Sequence, residues 1–232
     1  MQYEIKQKDK FRYVEEGVGE PLVLLHGLFG ALSNFTDLIE YFRNHYKVIV
    51  PILPLFDLDI LHTTVGGLEK YVHKFIESQD YKDIHLLGNS LGGHVALVHV
   101  LKHPQRIRSI ILTGSSGLFE SGMGDSYPKR GDYEYIRKKT ELTFYNPEIA
   151  SKELVDEVYE IVNNRIKAIK IIALAKSAIR NNLGEELNQI QQPTLLIWGN
   201  NDTITPPFVG REFQRMIPNS ELHFIDKCGH AP

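Results

Sequence analysis

The stretch that most constrains this chain runs from Asp83 to Leu97. It opens with an apolar run, Ile84-His85-Leu86-Leu87, short enough for a buried strand, and breaks at Gly88. It resumes as a helical pattern that ends near His103, with Pro104 just beyond. Between the two lies Gly88-Asn89-Ser90-Leu91-Gly92, a Gly-x-Ser-x-Gly turn. Strand, sharp turn and helix form the setting in which such a serine serves as a nucleophile. Side chains at Gly88 and Gly92 would collide with neighbouring backbone in so tight a turn. The helix that starts after Ser90 presents its partial positive charge where an oxyanion would form in acyl transfer.

The rest of the composition sets broad limits. The chain has 232 residues, 42% hydrophobic and 24% charged, enough for one large core of ordinary globular type. A net charge of −3 gives no polybasic surface for nucleic acid or anionic membrane. The single cysteine, Cys228, excludes an intrachain disulfide. Residues 1–10 alternate polar and charged groups without an apolar secretory core, and no apolar run is long enough to span a bilayer. The expectation is a cytoplasmic protein without nucleic-acid or membrane partners. No internal repeat or low-complexity tract is found, and nothing in the residues fixes an oligomeric state.

Taken in order, residues 3–7 and 11–15 read as a leading antiparallel pair. Pro21-Leu22-Val23-Leu24-Leu25-His26 reads as a buried parallel strand, followed by a loop through Gly30. Ser33 or Asn34 is expected to cap a helix reaching Phe42. A strand at 47–50, a Pro- and Leu-rich loop over 51–62 and a helix over 65–78 follow. After the opening motif comes a strand at 108–113. From Ser115 to Gln192 strands disappear. A Gly/Ser-rich loop leads to three helical patterns: 132–144, one starting after the cap Asn146-Pro147 and ending near 163, and one carrying Ile166, Ile169, Ile172 and Ala173 on one stripe. Strand and helix then alternate again, with strands at 193–198 and 221–225 flanking a short helix from Pro206/Pro207 to Met216. The expected architecture is α/β, a doubly wound, mostly parallel sheet. Residues 1–114 and 193–232 form its body, and 115–192 an inserted helical lid.

A serine hydroxyl needs a base, and the base an orienting acid. In a doubly wound sheet such groups lie beyond the carboxyl ends of the strands. Asp202 follows the strand at 193–198, and His230 follows that at 221–225. Asp226 is nearer His230 in sequence, and Glu120 and Asp125 follow an earlier strand; the Gly199-Asn200-Asn201-Asp202 turn favours Asp202. His26 reads as a loop-orienting residue, His94 as a packed one and Cys228 as a small apolar filler. The other histidines are scattered without metal-ligand spacing, so no metal is expected.

Leu25-His26-Gly27, Gly88-Asn89-Ser90-Leu91-Gly92-Gly93, Trp198-Gly199-Asn200-Asn201-Asp202 and Gly229-His230 occur in this order over nearly the whole chain. In that combination the sequence resembles the α/β-hydrolase superfamily. The resemblance implies Ser90 as nucleophile, His230 as general base then acid, and Asp202 as its orienter. It implies an oxyanion hole from the Leu28 and Leu91 N–H groups, with Phe29 as alternative second donor, and no cofactor. Three departures stand out. Pro54-Leu55-Phe56-Asp57 replaces a Gly-x-Gly turn. The family continues past the histidine into a closing helix, so the chain is expected to extend beyond Pro232. Relatives that hydrolyse carbon–carbon bonds of ring-cleavage products share the Gly-Asn-Ser triplet, but usually have a Gly-rich loop where Leu28-Phe29 stands and an aromatic where Ala231 stands.

The expected activity is hydrolysis of a small, largely apolar ester through an acyl-enzyme. One alternative is C–C hydrolysis of 2-hydroxy-6-oxo-dienoate products; another is a ligand-binding receptor on the same fold. Pocket lining is expected from Phe29, Leu118, Phe119 and Phe144, with Met123, Tyr127, Tyr133 and Tyr145 as further aromatic or sulfur-bearing candidates, although most of the lid members read more readily as lid core.

Overall fold

The computed structural model describes residues 3–29, 32–119 and 129–232. Glu120, Met123, Asp125 and Tyr127 lie outside the described residues.

Among the described residues eight strands form one sheet: β1 (Lys6–Lys8), β2 (Phe11–Glu16), β3 (Pro21–Leu25), β4 (Lys47–Pro51), β5 (Ile84–Asn89), β6 (Ile107–Thr113), β7 (Thr194–Gly199) and β8 (Ser220–Ile225). Their spatial order is β1-β2-β4-β3-β5-β6-β7-β8. The β1/β2 and β2/β4 pairings are antiparallel and all others parallel. The first strand sits at Lys6–Lys8 rather than at 3–7. Its three polar residues suit a short edge that discourages pairing with another chain. The chain leaves β3 for β4 on one side and then crosses to β5 on the other. That reversal opens a crevice at the carboxyl ends of β3 and β5, where His26 and Ser90 stand.

Strand alternation divides the core. Leu22, Leu24, Val48 and Val50 face α1 (Thr36–Phe42) and pack with Phe35 and Ile39. Val23, Leu25, Ile49 and Leu86 face the opposite way. They pack with α2 (Val65–Gln79), α3 (Leu91–Lys102) and, further along the sheet, α7 (Pro207–Met216). The α1 helix begins later than expected, after a 3-10 turn at Leu32–Phe35. Its cap position is Phe35, without a side-chain cap, so neither Ser33 nor Asn34 has that role. At α2 Thr64 does cap, accepting from Gly67 N–H. Near the β8 edge Trp198 is fully buried, its indole N–H donating to Thr205 O at 2.8 Å. A Cβ on Gly210 would come within 2.9 Å of that ring, so the close approach of α7 to β7 depends on the missing side chain.

Between β6 and β7 the described chain is helical: α4 (Tyr133–Glu141), α5 (Lys152–Asn163) and α6 (Arg165–Arg180). Asp132, Ser151 and Asn164 cap them. Asn146-Pro147 is a genuine cap, but of a 3-10 turn at Pro147–Ile149 rather than of α5. Ile136, Val158, Ile161, Val162 and Ile171 form a separate small core, against which Leu28, Phe29 and Phe56 pack. The expected α6 stripe is wrong. Ile166, Ile169 and Ile172 are exposed, and the packed face is Ile171, Leu174, Ala175 and Ala178. Among the described residues no helix is long and apolar enough to cross a membrane. The packing of α2 on α3 also gathers His73, His99 and His103, contrary to the expectation that the histidines stay apart.

Candidate active site

Ser90 joins β5 to α3 with φ 53° and ψ −120°. A non-glycine residue pays about 1–3 kcal/mol to hold such a conformation, and it persists only where the surroundings enforce it. They do so on both sides. Ser90 N–H donates to Thr113 O at 3.1 Å, and Ser90 O accepts from the N–H groups of Gly93, His94 and Ser116. A Cβ at Gly92 would stand 2.0 Å from Leu25 O, and one at Gly88 2.5 Å from Gly92 O, so the flanking glycines let β3, β5 and α3 meet at this corner.

Asp202 and His230 come from loops after β7 and β8, and both are buried. His230 Nδ1 lies 2.9 Å from Asp202 Oδ2. The carboxylate is fully engaged. Oδ1 accepts from Ile204 N–H at 2.8 Å and Thr205 N–H at 2.9 Å, while Oδ2 also accepts from Thr205 Oγ1–H at 2.9 Å. An ionised carboxylate only accepts, so Nδ1 carries the proton and Nε2 keeps a lone pair. Asp226 is exposed and accepts from Asn200 Nδ2, so it is turned to another partner. The histidine loop is fastened by its backbone: His230 N–H donates to Thr143 O at 2.8 Å, and Asn201 N–H to Cys228 O at 2.9 Å. Burial and the nearby Asp202 charge push the Cys228 thiol pKa up, which keeps it unreactive.

Ser90 and His230 line one cavity of about 910 Å³. Gly27, Leu28 and Phe29, on the loop after β3, form part of its wall. That loop is set by His26, whose Nε2 accepts from Leu53 N–H at 3.2 Å and whose Nδ1 bonds Gly27 O at 2.9 Å. Burial pushes the His26 pKa down, so the ring stays neutral and serves as a tether. Leu91 N–H lies in the first turn of α3, where backbone donors have no partner within the helix. His94 is packed: its Nε2 bonds Asn181 O at 2.8 Å, and burial lowers its pKa to about 4.

Phe29, Phe119 and Phe144 line the cavity as expected; Leu118 and Tyr133 do not. Leu118 packs on the main core, and the Tyr133 hydroxyl donates to Asp156 at 2.6 Å. Tyr145 lines a neighbouring cleft. The part of the wall supplied by α5 and α6 is mostly aliphatic, with Leu154, Val158, Ile171 and Ile172. Three supporting residues escaped the sequence reading. Asn89 Nδ2 donates to Thr113 O at 3.0 Å and His230 O at 3.3 Å, bridging the Ser90 turn and the His230 loop. Thr205 holds Asp202; the spacing Asp202-x-x-Thr205 before a proline was its available signal. Gly114, at φ +47°, lets β6 pass the pair, since a Cβ there would be 3.2 Å from both Asp202 Oδ2 and His230 Nδ1.

Comparison with known proteins bears on this arrangement. The family model described as alpha/beta hydrolase fold matches residues 20–144 and 160–232. Lipase 1 of Psychrobacter immobilis is 25% identical over 97% of this chain and 76% of its own length. The 2-hydroxy-6-oxononadienedioate/2-hydroxy-6-oxononatrienedioate hydrolase of Paraburkholderia phymatum is 28% identical over 95% of this chain and 84% of its own. Among solved structures, an alpha/beta hydrolase enzyme from a sediment metagenome of the Mar Chica lagoon, Morocco, is 42% identical. It superposes with a TM-score of 0.81 over 98% of this chain and 90% of that one. The sheet order, the serine turn after β5 and the extent of these matches agree, and the chain belongs to the alpha/beta hydrolase family as one of its hydrolytic enzymes.

Proposed function

We propose that this enzyme hydrolyses small, largely apolar esters through a Ser90-His230-Asp202 triad. The observation that carries the reading is the buried Asp202–His230 hydrogen bond, 2.9 Å long, in the wall of the cavity that Ser90 also lines. In this reading Ser90 Oγ attacks the ester carbonyl carbon as its proton passes to His230 Nε2. The leaving alkoxide takes that proton as the C–O bond breaks, leaving an acyl-Ser90 ester. Water then attacks the acyl carbon, giving its proton to His230, and Ser90 regains a proton as the acid departs. The Leu91 and Leu28 N–H groups, with Phe29 as alternative to Leu28, stabilise the oxyanion by about 3–4 kcal/mol per donor. Residues 115–192 act as a cover over the site on a body formed by 1–114 and 193–232, and the aliphatic wall they supply suits an apolar acyl chain. A small-molecule substrate is the partner this chemistry requires.

The test is turnover of p-nitrophenyl acetate and butyrate, with fluorophosphonate labelling mapped by mass spectrometry. Wild type is expected to turn over both esters and take the label on Ser90, and Ser90→Ala to do neither. Equal turnover by the two proteins overturns the mechanism.

A second reading is favoured by Arg130, Lys139 and Lys176, three cations in the cavity wall. They suit a carboxylate-bearing substrate such as the dienoate acids named for the Paraburkholderia relative. Assaying such an acid beside the butyrate ester separates the two, the better substrate being the one with the higher kcat/KM.

A further inference from the structure

Three histidines meet where α2 packs on α3, toward the C-terminal end of the helix that starts at Ser90. His73 lies on α2, His99 on α3 and His103 at the C-cap of α3. One ring nitrogen from each falls within 4.8 Å of the other two. The rings of His73 and His103 stack at 3.8 Å and 4°, and His99 lies 5.0 Å from His103 between centroids.

Their hydrogen bonding is lopsided in a consistent way. His99 is fully buried; its Nδ1 faces Glu69 Oε1 at 3.1 Å, and its Nε2 is buried without a partner among the described residues. His73 repeats the pattern, with Nε2 3.4 Å from Glu77 Oε2 and Nδ1 buried and unpartnered. His103 Nε2 lies 3.4 Å from Glu69 Oε1. A carboxylate therefore stands near one nitrogen of every ring, and at His99 its hydrogen bond holds the proton on Nδ1 and leaves Nε2 a lone pair. Carboxylate-oriented imidazoles of this kind surround bound metals. Plain ring packing does not explain two buried, unpaired nitrogens, each of which carries a desolvation cost.

We propose that His73, His99 and His103 bind one divalent first-row transition-metal ion, zinc being the type best suited to three imidazoles and a water. Glu69 and Glu77 orient the rings from behind. Glu69 is kept from direct ligation because its other oxygen accepts from Lys102 Nζ at 2.8 Å. Metal–nitrogen bonds of about 2.0–2.1 Å require the nitrogens to draw closer than they now stand. His73 and His103 sit at the half-buried rim and can turn, while His99 is fixed beneath them. Glu69 and His73 are four apart on α2, as are His99 and His103 on α3, so the ion staples two helices one turn at a time. His99 is nine residues from Ser90, about 13 Å along α3 at the usual rise. The ion therefore takes no part in the chemistry, and this site stands whether or not the ester reading holds.

The experiment uses the whole chain, stripped with EDTA and dialysed. Zinc is titrated by calorimetry, cobalt by visible absorption, and each state is melted. One equivalent of zinc per chain, tetrahedral cobalt bands and a Tm rise of about 5–10 °C at a hundredfold excess over Kd are expected. His73→Gln and His103→Gln, at the rim, should melt cooperatively, bind at least about tenfold more weakly and keep wild-type hydrolase activity. His223→Gln, a surface control, should bind as wild type does. Absence of stoichiometric binding by wild type, or wild-type affinity in the rim variants, overturns the proposal.

Discussion

Replacing Asp202 by asparagine changes almost no volume and one hydrogen-bonding sign. The carboxylate now accepts four hydrogen bonds, two from backbone N–H groups at Oδ1 and two at Oδ2, from Thr205 Oγ1–H and His230 Nδ1–H. An asparagine has two ways to sit there. With its NH2 toward Ile204 and Thr205 N–H it loses both backbone bonds and brings donors together, a penalty of several kcal/mol. With its carbonyl on those N–H groups it keeps them, and the NH2 then faces Thr205 and His230. The Thr205 hydroxyl can rotate and accept, but His230 Nδ1 must give up its proton to accept as well. The ring moves to the other tautomer, Nε2 carries the proton, and nothing remains to receive that of Ser90. We expect kcat for p-nitrophenyl butyrate to fall by about 10⁴, or roughly 5.5 kcal/mol of barrier, with KM nearly unchanged. The Tm should stay within a few degrees of wild type, since all four contacts survive, two of them with the donor reversed. Stopped-flow release of p-nitrophenolate measures the acylation step, and Asp226→Asn, at an exposed carboxylate, is the control expected to keep full activity. An Asp202→Asn enzyme within tenfold of wild type would show that another acid orients the base.

Two further outcomes follow from buried groups. His94 stays neutral when folded, with a pKa held near 4 by burial, while an unfolded histidine titrates near 6.5, so the unfolded chain binds the extra proton between those values. Stability should fall as pH drops through this window, by roughly 2 kcal/mol from pH 7 to pH 5, and urea melts should show a smaller pH difference in His94→Gln. Glu69 acts elsewhere: burial alone would raise its pKa, but bonds from His99 and Lys102 hold it near 2, so its contribution is lost only below about pH 4.5. In the cavity, Ile172→Trp adds bulk to a half-exposed wall position on α6. The kcat/KM ratio of hexanoate to acetate ester should fall by at least about tenfold, and an unchanged ratio would remove α6 from the acyl site.

The serine turn was legible because its glycines answer to contacts nearly local in sequence: Gly88 packs on Gly92 and Gly93, four and five residues away. The parallel strands were legible as continuous apolar runs, since helices or neighbouring loops bury much of both faces. Asp202 and His230 were found from their place after strand ends, not from any local signal joining them. Helix α6 failed for a physical reason. Ile166 and Ile169 lie on the open side while Ile171, Ala175 and Ala178 pack closely, and periodicity reports that a face is apolar without reporting what it meets. The cavity wall was read in part: Phe29, Phe119 and Phe144 line it, but Val158 and Ile171 look like core in the sequence and were missed. The histidine cluster was half visible: His99 and His103 carry helical spacing, but His73 reaches them only across β5.

The tether between Thr143 O and His230 N–H, together with the Asn89 bridge, has a consequence in time. Asn89 and His230 are separated by 141 residues, which a ribosome adds in about 7–28 s at ordinary speeds. Throughout that interval the growing polypeptide carries Ser90, the proposed nucleophile, without His230, its proposed base. On the proposed mechanism, hydrolytic competence arrives only when His230 has been made and seated, so products that stop before it should be inert toward cellular esters.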